Sequence, residues 1–205
     1  MEDGKVANLD ITCLLLKHKD EDCKAMKGMK YQEEVDWIVR DQWRNNFISN
    51  LVLDQKGNSL VLFQFVEKHG SVLYDQINKK AGKDRPVFFV YGGTETDQRE
   101  QIRALTEKSD NAIIVASYGT FSTGINIRNL HNVVFSSPSK SRIRNLQSIG
   151  RGLRLGDNKV VCKLFDIGDD LSWKSKKNYT LEHMTERVKL YNEEGFNYKL
   201  VKVDK

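Results

Sequence analysis

Proline and cysteine are the scarce residues of this chain. Only Pro86 and Pro138 occur in 205 residues, which excludes a proline-rich linker. Cysteine is limited to Cys13, Cys23 and Cys162, an odd number that makes no disulfide framework, so reduced thiols are expected. Cys13, His18 and Cys23 lie close in sequence, but their spacings and the missing fourth ligand argue against zinc, and no metal site is expected. No apolar run approaches the roughly 20 residues needed to span a bilayer, so no membrane partner is expected. The opening Met1-Glu2-Asp3-Gly4 has neither a basic nor an apolar leader region, and the cytoplasm is the expected location. Repeats and low-complexity tracts are also missing.

What remains is ordinary for a soluble globular protein, with 39% hydrophobic and 30% charged residues. The length suits one substantial domain, or a domain with an appendage. A net charge of +5 permits nucleic-acid binding without requiring it. Lys174-Ser175-Lys176-Lys177 and the stretch from Lys140 to Arg144 are local basic clusters, for which a solvated surface is the plainer reading.

Along the chain, residues 9–16 read as a strand, followed by a charged loop through Lys30. Residues 31 to about 54 read as one helix, with Tyr31, Val35, Ile38, Phe47, Ile48 and Leu51 as its apolar stripe. From residue 60 an alternation begins. Strands are expected at 60–65, 87–91, 112–116, 133–135 and 159–166. Helices are expected after the first strand (through Val66, Gly70, Leu73 and Ile77), after Gly92-Gly93, and from about Ser139. Thr94-Glu95-Thr96-Asp97 reads as a capping box. A last helix, 180 to about 194, ends at Gly195 and leads to a strand at 197–203.

Strands apolar throughout, alternating with helices, predict an α/β fold: a parallel sheet with helices on both faces. Ligands in such folds bind beyond the carboxyl ends of the strands. The glycine-rich and polar stretches fall at those ends: Gly92-Gly93, Ser117 to Asn126, and Ser136 to Ser139.

One string stands apart, Gln147-Ser148-Ile149-Gly150-Arg151-Gly152-Leu153-Arg154. On a helix Gln147, Arg151 and Arg154 share one face. Guanidinium groups are always charged and offer a fork of donors matched to phosphate oxygens. Two of them beside a γ-phosphate act as arginine fingers; the plainer alternative is a basic helix end complementing the helix dipole.

Upstream lies Ile114-Val115-Ala116-Ser117-Tyr118-Gly119-Thr120-Phe121-Ser122-Thr123-Gly124-Ile125-Asn126-Ile127. The order of the strand at 60–65 with its helix and Val90-Tyr91-Gly92-Gly93, then this string, then the arginine string resembles motifs IV, V and VI of superfamily 2 helicases, on their second RecA-like domain. The resemblance covers about residues 55–170. It implies residues 1–54 leading in from a missing first motor domain, a RecA-like domain at 55–168, and a helix-strand extension at 169–205.

No G-x-x-x-x-G-K-[ST] loop and no D-E-x-H or D-E-x-D string occurs. In the resembled family those parts lie on the first domain, so this chain carries the completing half of an ATPase site and is expected to be inactive alone. The resemblance implies that Arg151 and Arg154 reach the γ-phosphate of ATP with Gln147 positioning them. Gly124, Asn126 and Gly150 then line the nucleotide. Asn126 replaces the aspartate of many relatives and supplies no charge.

Gly92, Gly93, Thr120 and Thr123 are the candidates for nucleic-acid backbone contact, each with turn or cap chemistry as the plainer alternative. ATP and Mg2+ are the implied cofactors. The implied partners are the N-terminal RecA-like domain and DNA, branched, single- or double-stranded, or an RNA–DNA hybrid. A monomer is expected, working as a helicase in recombination, repair and replication-fork processing. A duplex-DNA translocase and a non-enzymatic nucleic-acid-binding module stay open beside it.

Overall fold

The computed structural model describes residues 9–122, 127, 129–138 and 161–205. Seven strands lie within them: β1 (Leu9–Lys17), β2 (Ser59–Phe63), β3 (Val87–Val90), β4 (Ile113–Ser117), β5 (Asn132–Phe135), β6 (Cys162–Asp170) and β7 (Asn197–Asp204). They form one sheet in the order β3-β4-β2-β5-β6-β1-β7. Every pairing is parallel, as the apolar strands from residue 60 onward predicted for their part of the sheet.

Helices cover both faces. Strand side chains alternate, so Leu60, Leu62, Ile114, Ala116 and Leu164 point one way and Val61, Phe63, Ile113, Val115 and Ile167 the other. Ile102 of α5 (Thr96–Lys108) and Met184 of α7 (Tyr179–Glu193) pack on the first set. Ile48 and Val52 of α3 (Gln42–Asp54), with Leu73 and Ile77 of α4 (Ser71–Ala81), pack on the second. Gly168 lets α7 approach β6, because a Cβ there would collide with the Met184 sulfur. A small third cluster joins Cys23 of α1 (Asp20–Ala25), Ile38 of α2 (Tyr31–Arg40) and Leu171.

The segments expected as 1–54, 55–168 and 169–205 share this one sheet, since β1 from the first lies between β6 and β7.

Several local expectations need correction. The loop before Lys30 contains α1, favoured by Asp20, Glu21 and Asp22 in its first turn. The single helix at 31–54 is two helices, broken at Asp41. There the backbone leaves the helical region, with ψ at 116°, and the carboxylate accepts the Arg44 amide hydrogen at 3.1 Å to cap α3. A short polar side chain that competes for backbone donors stops one helix and starts the next. The capping box at Thr94 does not form. The Thr94 hydroxyl accepts the Tyr91 amide hydrogen, and α5 starts behind Glu95 without a side-chain cap. A single π turn, Val66–Gly70, precedes α4. The helix expected from Ser139 lies outside the described residues.

Candidate nucleotide cleft and nucleic-acid edge

In a parallel sheet all strands end on the same edge, and here that edge gathers the expected loops. After β3 the chain turns at Gly92-Gly93. Arg99 of α5 holds the turn from behind, donating to the carbonyls of Gly92 and Thr94, each at 2.9 Å. Their carbonyls are occupied, while the exposed amides of Gly92 and Gly93 make no hydrogen bond among the described residues. A Cβ on Gly93 would stand 2.6 Å from the Tyr91 ring, whereas Gly92 faces open space. Two adjacent free amides without side chains form a surface that an anionic oxygen can approach closely.

After β4, Ser117 caps the short helix α6 (Tyr118–Ser122). Its hydroxyl accepts the Thr120 amide hydrogen at 3.3 Å and shares a 2.6 Å hydrogen bond with the Thr120 hydroxyl. Thr120 is buried, and that hydroxyl is engaged in the cap, as its plainer reading anticipated.

After β5, Ser136 and Ser137 lead out of the sheet. The Ser136 carbonyl accepts from Arg44 at 2.6 Å, and the Ser136 hydroxyl donates to the Leu62 carbonyl. The Ser137 hydroxyl meets His69 Nδ1 at 2.7 Å and accepts the Gln64 amide hydrogen at 3.1 Å. Elements α3, β2 and the π turn thus fix the departure of the chain towards residue 139. Gln147, Gly150, Arg151 and Arg154 follow that point, and Thr123, Gly124 and Asn126 follow α6. All seven lie outside the described residues.

Beneath this edge are charged groups that the sequence reading did not single out. Asp169 is 1% exposed and takes Arg44 Nε at 2.9 Å and His18 Nε2 at 2.9 Å. Burial alone would raise its carboxyl pKa, but the Arg44 charge and the His18 hydrogen bond outweigh it and hold it at about 2. Asp166 binds Arg187 through both carboxylate oxygens, at 2.8 and 3.0 Å, and accepts the Tyr191 hydroxyl at 2.6 Å. Burial first, then the Asp166 charge, push the Tyr191 hydroxyl above its usual range.

Burial pushes the Cys13 and Cys162 thiols up to about 12, which makes them poor nucleophiles. The signal for these groups was present as an arginine on the apolar stripe of α3 and two aspartates inside an apolar strand. Among the described residues no cluster of His, Cys, Asp and Glu suits a metal ion, and no helix is long and apolar enough to cross a membrane.

Sheet order, edge loops and the strings at 114–127 and 147–154 define a class: the helicase conserved C-terminal domain matches residues 43–156, and the chain belongs to that family. Among individual proteins it is similar to the ATP-dependent DNA helicase uvsW of Enterobacteria phage T4, at 39% identity over 97% of this chain and 41% of that protein. The crystal structure of T4 UvsW superposes with a TM-score of 0.83 at 35% identity, over 96% of this chain and 42% of that one. The C-terminal domain of the DEAD-box protein Dbp5 matches at a TM-score of 0.58 and 13% identity, over 97% and 90% of the two chains, a likeness of fold alone. The fold is RecA-like. The chain spans about two fifths of the length of the phage relative.

Proposed function

We propose that this chain is the second motor domain of an ATP-dependent DNA helicase acting on branched DNA in recombination, repair and replication-fork processing. The observation that carries the reading is the family match over 43–156, which takes in the Gly92-Gly93 turn, the 114–127 string and the arginine string together. ATP sits in a cleft between this domain and an N-terminal RecA-like domain, which holds the phosphates and Mg2+. Arg151 and Arg154 reach across to the γ-phosphate, Gln147 positions them, and Gly124, Asn126 and Gly150 line the nucleotide. The rigid departure at Ser136–Pro138 supports this role, because fingers act through preorganised placement.

Gly92 and Gly93 offer amides to the nucleic-acid backbone, and Thr120 and Thr123 meet it from the neighbouring loop, where Ser117 caps the helix that carries Thr120. Such contacts are independent of sequence and sensitive to salt. Closing the cleft on ATP and reopening it after hydrolysis moves the two domains' grips along DNA, so hydrolysis drives translocation. The protein works as a monomer in the cytoplasm, that of the host if the gene is a phage's.

The test mixes this chain, as wild type or Arg151→Ala, with a purified P-loop domain and measures DNA-stimulated ATP hydrolysis. Turnover is expected with wild type only, since loss of an arginine finger costs on the order of 10³–10⁵ in rate. Hydrolysis by this chain alone, or equal turnover with Arg151→Ala, would remove the half-site reading.

A further inference from the structure

Strands β1 and β6 end side by side, and segments that follow them, the α1–α2 loop and the connection into α7, line a cavity of about 330 Å3. One wall is the α1–α2 loop with Met26, Lys27 and Met29; the other is the connection from Trp173 to Tyr179. That connection is a built turn. Trp173 and Lys176 exchange two backbone hydrogen bonds of 3.1 Å across Lys174 and Ser175. Lys174 sits at φ +54°, a conformation that residues with side chains rarely adopt.

Behind the turn, Glu34 of α2 accepts the amide hydrogens of Tyr179 at 3.1 Å and Thr180 at 2.7 Å. Its carboxylate is thereby committed to the start of α7, and the turn is anchored to α2.

The turn displays Lys174, Lys176 and Lys177, all exposed and all without an ion pair among the described residues. Lys17, Lys68 and Lys205, by contrast, each reach an aspartate. Across the cavity Lys27 is exposed too, and Glu182 is the one exposed carboxylate of the lining. Trp173 is half-buried against the Cys23–Ile38–Leu171 cluster, and Tyr179 is 47% exposed. Unpaired cations around an aromatic-lined hollow suit a ligand carrying both phosphates and flat rings.

Position narrows the choice further. Strand β6 is four places from β3 in the sheet, a lateral offset of about 19 Å at roughly 4.8 Å per strand, and both the turn and the Gly92-Gly93 amides follow carboxyl ends of strands. An extended polyanion crossing that edge meets both.

The geometry points to a second nucleic-acid contact here: backbone phosphates on Lys174, Lys176 and Lys177, with one base against Trp173 in the cavity. It rests on the nucleic-acid reading above and extends the strand's path to a part of the chain beyond the matched residues 43–156.

The test is fluorescence anisotropy of a labelled oligo-dT strand with the whole chain, comparing wild type, the triple variant Lys174→Ala, Lys176→Ala, Lys177→Ala, and Trp173→Phe. Raising salt from about 50 to about 200 mM should weaken wild type about 20-fold more than the triple variant, which lacks three contacts of slope about 0.7 each. Binding should quench tryptophan fluorescence in wild type and leave Trp173→Phe unquenched, with circular dichroism unchanged in both variants. A triple variant with wild-type affinity and salt slope overturns this contact while leaving the helicase reading intact. A wild-type chain that binds no oligo-dT overturns both. Poly-glutamate competing as well as unlabelled oligo-dT overturns it as well, because the turn would then take any polyanion.

Discussion

The two halves of the sheet are built on different physics. Strands β2 to β5, with sequences SLVLF, VFFV, IIVAS and NVVF, contain no charged residue. Strands β6, β1 and β7 each contain charged residues, and β6 buries Asp166 and Asp169 almost completely. The first half is held by apolar burial, worth about 1.5–3 kcal/mol for each large side chain. The second half depends on Arg44 and Arg187, delivered from helices that pack against it. Charges buried in this way cost several kcal/mol each to desolvate, so the half stands only while each pair is complete. The ionic half also anchors the candidate site, since Arg44 joins Asp169 to the Ser136 carbonyl.

Breaking a pair should therefore do more harm than opening a cavity. Arg44→Met leaves Asp169 buried with His18 as its remaining partner and should destabilise the fold by about 3–5 kcal/mol in urea unfolding. The double variant with Asp169→Leu should recover most of that loss; no recovery would show that Arg44 acts through Ser136 instead.

Leu62→Ala in the apolar half should cost about 3 kcal/mol, the usual range for a fully buried leucine. If it costs more than Arg44→Met, the contrast between the halves is reversed.

The contrast should also show in acid. The Asp169 carboxyl is held at about 2 against an ordinary 3.8. A depressed carboxyl adds stability above its unfolded pKa and loses it as pH falls through the folded one. About 2 kcal/mol should disappear between roughly pH 4 and pH 2, at about 1.36 kcal/mol per unit. Asp169→Asn should lack that part of the acid slope. Parallel unfolding curves for wild type and variant across that window would show that the pair is not the acid-sensitive element.

The smallest effect belongs to the helix break. Asp41→Ala removes the cap of α3 and should cost about 1 kcal/mol, read as a shift in the urea midpoint at constant slope.

The apolar half was legible in the sequence because each of its strands is a short run with no other place to go than a covered sheet. Gly92-Gly93 and Ser117 were placed at strand ends by that reading, and the structure puts them there. The division of 31–54 was not legible, since Asp41 interrupts no apolar spacing and its carboxylate acts through a cap on Arg44 and an ion pair with the distant Lys205. The partnership of Arg44 with Asp169 was not legible either, because 125 residues separate them and nothing local marks one for the other. Thr120 was offered both as a nucleic-acid contact and as a cap; the structure shows its hydroxyl 2.6 Å from that of Ser117, and the nucleic-acid contact remains a proposal.

The sequence by itself determined the parallel α/β class, the apolar strands and the strings that mark a helicase C-terminal domain. The first two follow from local periodicity and residue chemistry, and the strings carry their meaning through their resemblance to the superfamily 2 helicase motifs. Only the tertiary structure decided that β1 enters the sheet between β6 and β7, that two buried aspartates are answered by distant arginines, and that the Lys174 turn shares an edge with Gly92-Gly93. Those outcomes are non-local: strand order and ion pairing depend on which surfaces meet once the chain has collapsed, and no short window of residues encodes that meeting.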